Sequence, residues 1–490
     1  MSIKIPRLLV AGLSGDSGKT IASLSLLTAL KQRGRSVAVF KKGPDYIDAA
    51  WLSRFAKTDC RNLDTYMVSP NTVFDTFVNT AAGVDFALIE GNRGIFDGKD
   101  KEGTHSTAEL AKLLCAPVIL VVSASKATRT LAAVIKGCLD FDPQVNISGV
   151  ILNKVAGRRH ETIITEAVRK YCNLPVLGVI LRIEQVSTLL PGRHLGLVTP
   201  FESENETVLR QQLAQIARDY LDVEALLELA DKAQELDRRQ MPERFSITPM
   251  VKVGYFCDPV FTFYYPENLE ALKRNGAELI PISSLEDGNL PDINALYIGG
   301  GFPETHAEKL VCNSSLMTSV KKAIEGGLPV YAECGGLIYL SRSLTWHDKR
   351  FPMAGVFPVD LTMESKPVGH GYTLLQVDRS NPYFEPGLIL KGHEFHYSAV
   401  IGSFDMAATC LAVRTGFGLG SQRDGMLYKN CLGCYTHIHA DSVSGWAKAI
   451  IEQAKNYQTI KFSDLGKMKE AGIPNYLKLL KRRRFSEAAG

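Results

Sequence analysis

The segment Gly12-Leu13-Ser14-Gly15-Asp16-Ser17-Gly18-Lys19-Thr20 stands between a short apolar run at 8–11 and a stretch of helical periodicity. No other feature limits the fold of this chain as strongly. A glycine-rich loop closing on Gly-Lys-Thr between a strand and a helix has the context of a phosphate-binding loop. Backbone N–H groups at Gly12, Gly15 and Gly18, with the helix N-terminus, are suited to surround phosphate oxygens. Lys19 neutralises their charge, and the Thr20 hydroxyl is suited to ligate Mg²⁺. The spacing departs from Gly-x4-Gly-Lys-Thr, because position 13 is Leu and the first glycine falls at 12.

Such a loop belongs to an α/β sheet, and the sequence around it reads that way. Strands are predicted at 8–11, 36–40, 86–90, 118–123, 149–153 and 176–180. They are apolar on consecutive rather than alternate positions, as strands covered on both faces by helices should be. Between the first two, Ile21, Leu24, Leu27 and Leu30 mark one face of a helix over 20–31, with Gly34 as its stop. This is a doubly wound parallel domain. At 490 residues the chain is too long for one ordinary core. A charged stretch near 221–250 reads as a final helix and a linker. A second α/β pattern follows, with strands at 251–256, 279–282, 295–298 and 330–333, and becomes β-rich towards Tyr435. The predicted divisions are 1–230, a linker at 231–250, a second domain at 251–450, and a helical and basic tail at 451–490. That tail ends in Lys481-Arg482-Arg483-Arg484, read as a solvated end.

Composition closes off several function classes. The 56 basic and 52 acidic residues nearly balance at +4, without the basic bias of a nucleic-acid binder. The ten cysteines have neither the density nor the spacing of a disulfide framework, which fits a reduced cytoplasmic protein. The apolar start is too short for a signal peptide and reads as a first strand. No stretch approaches a membrane span.

Two further constellations carry chemistry. Lys42-Gly43-Pro44-Asp45-Tyr46-Ile47-Asp48 follows the second strand, and Glu90-Gly91-Asn92-Arg93-Gly94-Ile95-Phe96-Asp97-Gly98 follows the third. Carboxylates at these strand ends are placed to hold Mg²⁺ between nucleotide and substrate. In the second domain, Tyr331-Ala332-Glu333-Cys334-Gly335-Gly336 sets a cysteine on a strand-to-helix turn, where the helix N-terminus is expected to lower the thiol pKa. The N–H groups of Gly300, Gly301 and Gly335 are candidates for an oxyanion hole. The candidate base is His437, in Thr436-His437-Ile438-His439. The lone Cys431-Leu432-Gly433-Cys434 lacks a second pair and is not read as zinc-binding, and the histidines of Gly392-His393-Glu394-Phe395-His396 read as hydrogen-bonded structural groups.

Taken together, these motifs resemble the cobyrinic acid a,c-diamide synthase family of corrinoid biosynthesis over residues 5–450. Further matches are Phe263-Tyr264-Tyr265-Pro266-Glu267-Asn268-Leu269, Leu296-Tyr297-Ile298-Gly299-Gly300-Gly301 and His393-Glu394-Phe395-His396-Tyr397-Ser398. The resemblance implies a dethiobiotin-synthetase-like ATP domain followed by a class I glutamine amidotransferase domain. It implies amidation of the a and c carboxylates of a tetrapyrrole polycarboxylate, with ATP, Mg²⁺ and glutamine or free ammonia. Carried onto this chain, the nucleophile is Cys334 and the base His437. Asp45 and Glu90 join Thr20 as Mg²⁺ ligands, Asp48 and Asp97 organise substrate or phosphoryl transfer, and Asn153 contacts the adenine. In class I amidotransferases a glutamate two positions after the base orients it; His439 stands there instead, and slow glutaminase activity is expected. Lys41, Lys42, Arg93 and Lys99 are candidates to attract the acceptor's carboxylates. Neither nucleic acid nor membrane is an expected partner, and a homodimer is compatible with the sequence.

Hydrogenobyrinic acid and nickel-sirohydrochlorin a,c-diamide synthases share these motifs, while cobyric acid synthase fits less well around 90–98. A rival of another class is a partitioning-type P-loop ATPase with an inert second domain. Such switches carry a second lysine early in the loop, where this chain has Ser14, Gly15, Asp16 and Ser17.

Overall fold

A computed structural model describes residues 2–182, 192–193, 196–203, 205–237 and 248–470. The first domain is built on seven parallel strands: β1 (Arg7–Gly12), β2 (Val37–Lys42), β3 (Arg61–Leu63), β4 (Phe86–Glu90), β5 (Val118–Ser123), β6 (Ile147–Val155) and β7 (Val176–Leu181). Their order across the sheet is β3-β2-β4-β1-β5-β6-β7. Every residue of β1, β2 and β4 is buried, which explains why these strands read as unbroken apolar runs. The edge strand β3 is the one the sequence reading misses: its three residues, Arg-Asn-Leu, carry no periodic signal.

The helix after β1 spans Lys19–Gln32, and Gly34 follows it at φ +72°, as its stop requires. Leu24, Leu27 and Leu30 are buried on the predicted face, but Ala22, Ser23 and Leu26 are buried too. The helix is enclosed between the sheet and the helix Glu206–Tyr220, so it has no free polar face.

The second domain has a ten-stranded sheet. Its strands are β8 (Val251–Phe256), β9 (Ala277–Ile282), β10 (Ala295–Ile298), β11 (Val330–Glu333), β12 (Gly369–Val377), β13 (Ile389–His396), β14 (Thr409–Thr415), β15 (Arg423–Tyr428), β16 (Cys431–Cys434) and β17 (His437–Ile438). The order is β9-β8-β10-β11-β16-β15-β14-β12-β13-β17. The portion from β9 to β16 is parallel, and the rest antiparallel. A separate four-stranded sheet contains Ser343–Trp346, Lys349–Pro352, Asp360–Met363 and Ser398–Val400.

Two expected divisions are corrected. The linker does not begin at 231: Leu236 and Asp237 pair antiparallel with Ile3 and Ser2, and the buried Arg7 guanidinium donates to the carbonyl of Gln234 at 2.7 Å. Residues 238–247 of that linker lie outside the described residues. A boundary at 450 cuts the helix Trp446–Glu470, whose Trp446, Ile450, Ile451 and Ala454 are buried in the second domain's core. The basic run 481–484 lies outside the described residues. Among the described residues, no helix is long and apolar enough to cross a membrane.

The two domains meet through side chains from both. Phe263 and Phe302 of the second are buried in a core of the first, and Tyr265 in another. Arg61 pairs with Glu267 at 3.3 Å and with Glu270, and the Tyr372 hydroxyl donates to Asp64 at 2.9 Å.

Candidate active site

The loop after β1 closes on itself before any ligand enters. Ser17 donates to the Ser14 carbonyl at 2.8 Å, and the Lys19 ammonium donates to the carbonyls of Ser14 and Arg93, each at 3.0 Å. Gly18 has φ +98°, and a Cβ there would lie 2.0 Å from the Asn153 amide nitrogen. A Cβ at Gly12 would meet Ser17 and Lys19, whereas one at Gly15, exposed at the loop's tip, would meet nothing within 4 Å. Asn153 was expected to contact the adenine. It is buried at the edge of the cleft and braces the loop, donating to the Ser17 carbonyl at 2.9 Å while its Oδ1 accepts from the Lys154 N–H.

The acids do gather beside the loop, but around a cation of the chain itself. The Lys41 ammonium lies 2.6 Å from Asp48, 2.8 Å from Glu90 and 3.8 Å from Asp45. Burial works against its charge, yet Asp48, Glu90 and Asp45 outweigh it and hold Lys41 well above the ordinary lysine range. Lys41 is therefore committed to these acids and does not present itself to a substrate. Asp48 is likewise held low by Lys41 against its burial, while burial and Asp48 raise Asp45 to about 7. The Asp45 Oδ1 accepts from the N–H groups of Ile47 and Asp48, capping the helix Ile47–Ala56. Asp97 lines the cleft and accepts from the Gly94 N–H at 2.8 Å.

Of the three groups expected to hold Mg²⁺, two fit it well. The Thr20 hydroxyl donates to Glu90 Oε1 at 3.0 Å, and the buried Glu90 Oε2 has no hydrogen-bond partner. An acceptor-only oxygen stranded beside a phosphate loop suits a cation carried in with the nucleotide. Asp45 is turned to its helix cap and Lys41. Among the described residues no ready-made cluster of three or more His, Cys, Asp or Glu ligands exists. His396 instead meets the Ser398 carbonyl at 2.9 Å and Glu394 at 3.3 Å, and Cys431 and Cys434 are free buried thiols.

In the second domain, Cys334 sits between β11 and the helix Gly335–Leu340 at φ 47°, ψ −98°. A non-glycine residue in that conformation is strained, as a nucleophile turn requires. The expected lowering of its thiol pKa does not occur. Burial pushes the thiol up, and Glu304 adds to the rise. The short helix does not offset the loss of solvent, so the resting sulfur is a neutral thiol. Gly300, Gly301 and Gly335 do come together: a Cβ at Gly335 would lie 3.0 Å from the Gly301 nitrogen, and one at Gly300 would lie 2.5 Å from the His437 ring. Among the described residues no hydrogen bond joins Cys334 to His437, and the Gly300-Gly301 turn packs against both the imidazole and the residue after the thiol.

The group that orients His437 was missed by the sequence reading. Glu333, fully buried beside Cys334, lies 3.4 Å from His437 Nδ1 and accepts from the Ile438 N–H at 3.2 Å and the Tyr297 hydroxyl at 3.0 Å. The available signal was a charged residue ending an otherwise apolar strand, Val-Tyr-Ala-Glu. His439, two positions past the base, turns instead to Glu267 at 3.6 Å. The His437 ring stacks on His393 at 5.0 Å between centroids and lies 5.2 Å from Tyr46, a first-domain residue between Asp45 and Asp48.

One cleft of about 1090 Å³ runs from the phosphate loop to His437. It is lined by Lys19, Thr20, Asp45 and Asp48 on one side and by Tyr372, His393, Phe395 and His437 on the other. The loop lysine and the candidate base thus face one space, while Cys334 and Glu333 lie buried behind the imidazole, outside its lining.

The comparisons with known proteins fall on the same two halves. Residues 8–195 match the CobQ/CobB/MinD/ParA nucleotide binding domain, and residues 252–444 match the CobB/CobQ-like glutamine amidotransferase domain. The chain is 41% identical to a cobyrinate a,c-diamide synthase of Magnetococcus marinus, over 91% of this chain and 97% of that one. It is 40% identical to the enzyme so named from Archaeoglobus fulgidus, over 93% and 98%. For the one from Methanosarcina acetivorans the identity is 36%, over 93% and 96%.

Proposed function

The chain belongs to the cobyrinate a,c-diamide synthase family, and from that premise we propose that it amidates the a and c side-chain carboxylates of cobyrinic acid, using ATP and glutamine. The observation that carries this reading is the single cleft in which Lys19 and Thr20 face His437. A carboxylate is a poor electrophile because oxide is a poor leaving group. An oxygen of the acceptor carboxylate attacks the γ-phosphorus of ATP, ADP leaves, and an acyl phosphate forms. Lys19 and the loop N–H groups neutralise the phosphate charge and hold the oxygens in line. Thr20 and Glu90 would hold Mg²⁺ there, and it would supply further charge neutralisation. Asp48 and Asp97 keep the acceptor end of the site oriented.

At the other centre the thiol of Cys334 gives its proton to His437 and attacks the glutamine amide carbon. His437 returns that proton to the departing ammonia, and water then releases glutamate from the thioester. The N–H groups of Gly301 and Gly335 hold the oxyanion. Ammonia attacks the acyl carbon, and phosphate leaves. The neutral resting thiol accords with slow glutamine hydrolysis. We assign the reaction to the cytoplasm, where all ten cysteines remain free thiols.

In the test, Cys334→Ser is assayed with cobyrinate, ATP and either nitrogen donor, and product masses are read. Glutamine-dependent amidation is expected to fall by on the order of 10³-fold or more, with ammonia-dependent amidation retained. A variant still using glutamine as the wild type does refutes the thiol's role. A wild type that makes no amide from cobyrinate with either donor refutes the reaction.

A further inference from the structure

Beside the cleft stand four cations that no acid pairs directly. Lys42 is 7% exposed, and Arg93 and Lys99 are exposed, all from the first domain; Lys391 comes from β13 of the second. Among the described residues none of the four lies within ion-pair distance of a carboxylate, although Asp64 and Asp97 act on Lys42 from further off. Lys99 and Lys391 approach the same Tyr66 ring, at 4.4 and 5.4 Å from its centroid, one from each domain. Burial lowers the nearby His105; the buried Asp64 opposes this, and Lys99, Lys42 and Lys391 add to it, so three ammonium groups act on one imidazole. Like charges gathered at one place, one of them buried, call for an anion with several negative groups.

The second domain adds two adjoining rings, tilted 53° to each other, at the same place. His370 on β12 and Phe395 on β13 lie ring to ring at 4.6 Å, and both line the cleft. The Arg93 guanidinium is 3.3 Å from His370 Nε2, while its own carbonyl accepts from Lys19. One residue therefore ties these rings to the phosphate loop. The cleft's volume of about 1090 Å³ is at the upper end for small-molecule sites, which run to about 1,000 Å³.

We propose that the β12/β13 hairpin of the glutaminase-like domain forms half of the acceptor seat: His370 and Phe395 take the face of the macrocycle, and Lys391 joins Lys42, Arg93 and Lys99 in holding its peripheral carboxylates. The second domain then binds the acceptor as well as releasing nitrogen. The proposal rests on the reaction proposed above and names where its acceptor lies.

The decisive measurements use an ammonium salt as donor, which makes the thiol centre irrelevant. The full chain and its His370→Ala, Phe395→Leu and Lys391→Glu variants are compared for kcat and for the KM of cobyrinate and of ATP. The KM for cobyrinate is expected to rise by about tenfold in Phe395→Leu and Lys391→Glu, with the KM for ATP within about twofold of wild type. Equilibrium dialysis of cobyrinate should show the same loss of affinity. Unchanged cobyrinate KM and binding in all three variants overturns the proposal and leaves the reaction standing. A rise confined to the KM for ATP also overturns it, because the cations would then serve the triphosphate. Should the wild type fail to amidate cobyrinate, the reaction itself falls, and equal dialysis constants for wild type and variants would sink the seat with it.

Discussion

On the proposed mechanism, Glu333 takes the place of a missing triad member. Its carboxylate reaches His437 Nδ1 from the residue before the nucleophile, while the Tyr297 hydroxyl and the Ile438 N–H hold it in place. A carboxylate there fixes the imidazole's tautomer and stabilises its cationic form as the proton passes from sulfur to nitrogen. Glu333→Gln keeps the shape but removes the charge. Glutamine-dependent kcat/KM is expected to fall by about 10² to 10⁴-fold, with ammonia-dependent amidation preserved. An equal loss with both donors would show that Glu333 merely supports the fold. This role was not legible in the sequence because it depends on β17 returning beside β13, more than a hundred residues after Glu333.

At the scale of elements, what could be read early was what is local in the chain. The phosphate loop, its helix and the cysteine turn each depend on adjacent residues, and each stands where the sequence placed it. What could not be read depends on distant partners. Strand β3 exists because β2 accepts it at the sheet's edge, and Leu236 is ordered because Ile3 pairs with it. The lowered thiol pKa was inferred from a helix N-terminus alone, without the burial that reverses it. Glycine positions test the local part. A Cβ at Gly301 would lie 1.8 Å from the Val260 carbonyl oxygen, so backbone must move. Gly301→Ala is expected to lower unfolding free energy by about 1–3 kcal/mol, measured by denaturant titration. Gly137, in the helix Arg129–Phe141, has open space where a Cβ would go. Its alanine variant should gain about 0.5–1 kcal/mol. Equal stability in the two variants would contradict the packing described around the oxyanion turn.

Across the whole molecule, the position vacated by the usual triad glutamate serves the domain interface. His439 lies 3.6 Å from Glu267, which pairs with Arg61 of β3 at 3.3 Å. Burial opposes the His439 charge, but the nearby Glu267 carboxylate outweighs that and raises its pKa above 6.5. A histidine raised on folding stabilises fully below its unfolded value near 6.5 and loses that contribution as pH climbs through the folded value. The melting temperature of the wild type should therefore decline across that window more than that of His439→Asn. Parallel pH profiles for the two proteins would rule out a protonated His439 at the interface.

The cleft between the domains has a further consequence, because its mouth stands open at Arg93, Lys99 and His370. On the proposed reaction, ammonia freed near the imidazole would enter this cleft, where the activated carbon and bulk water compete for it. A macrocycle lying across the mouth closes off the second. The acceptor is then its own stopper, and any glutamine split before it arrives is nitrogen leaked to the medium.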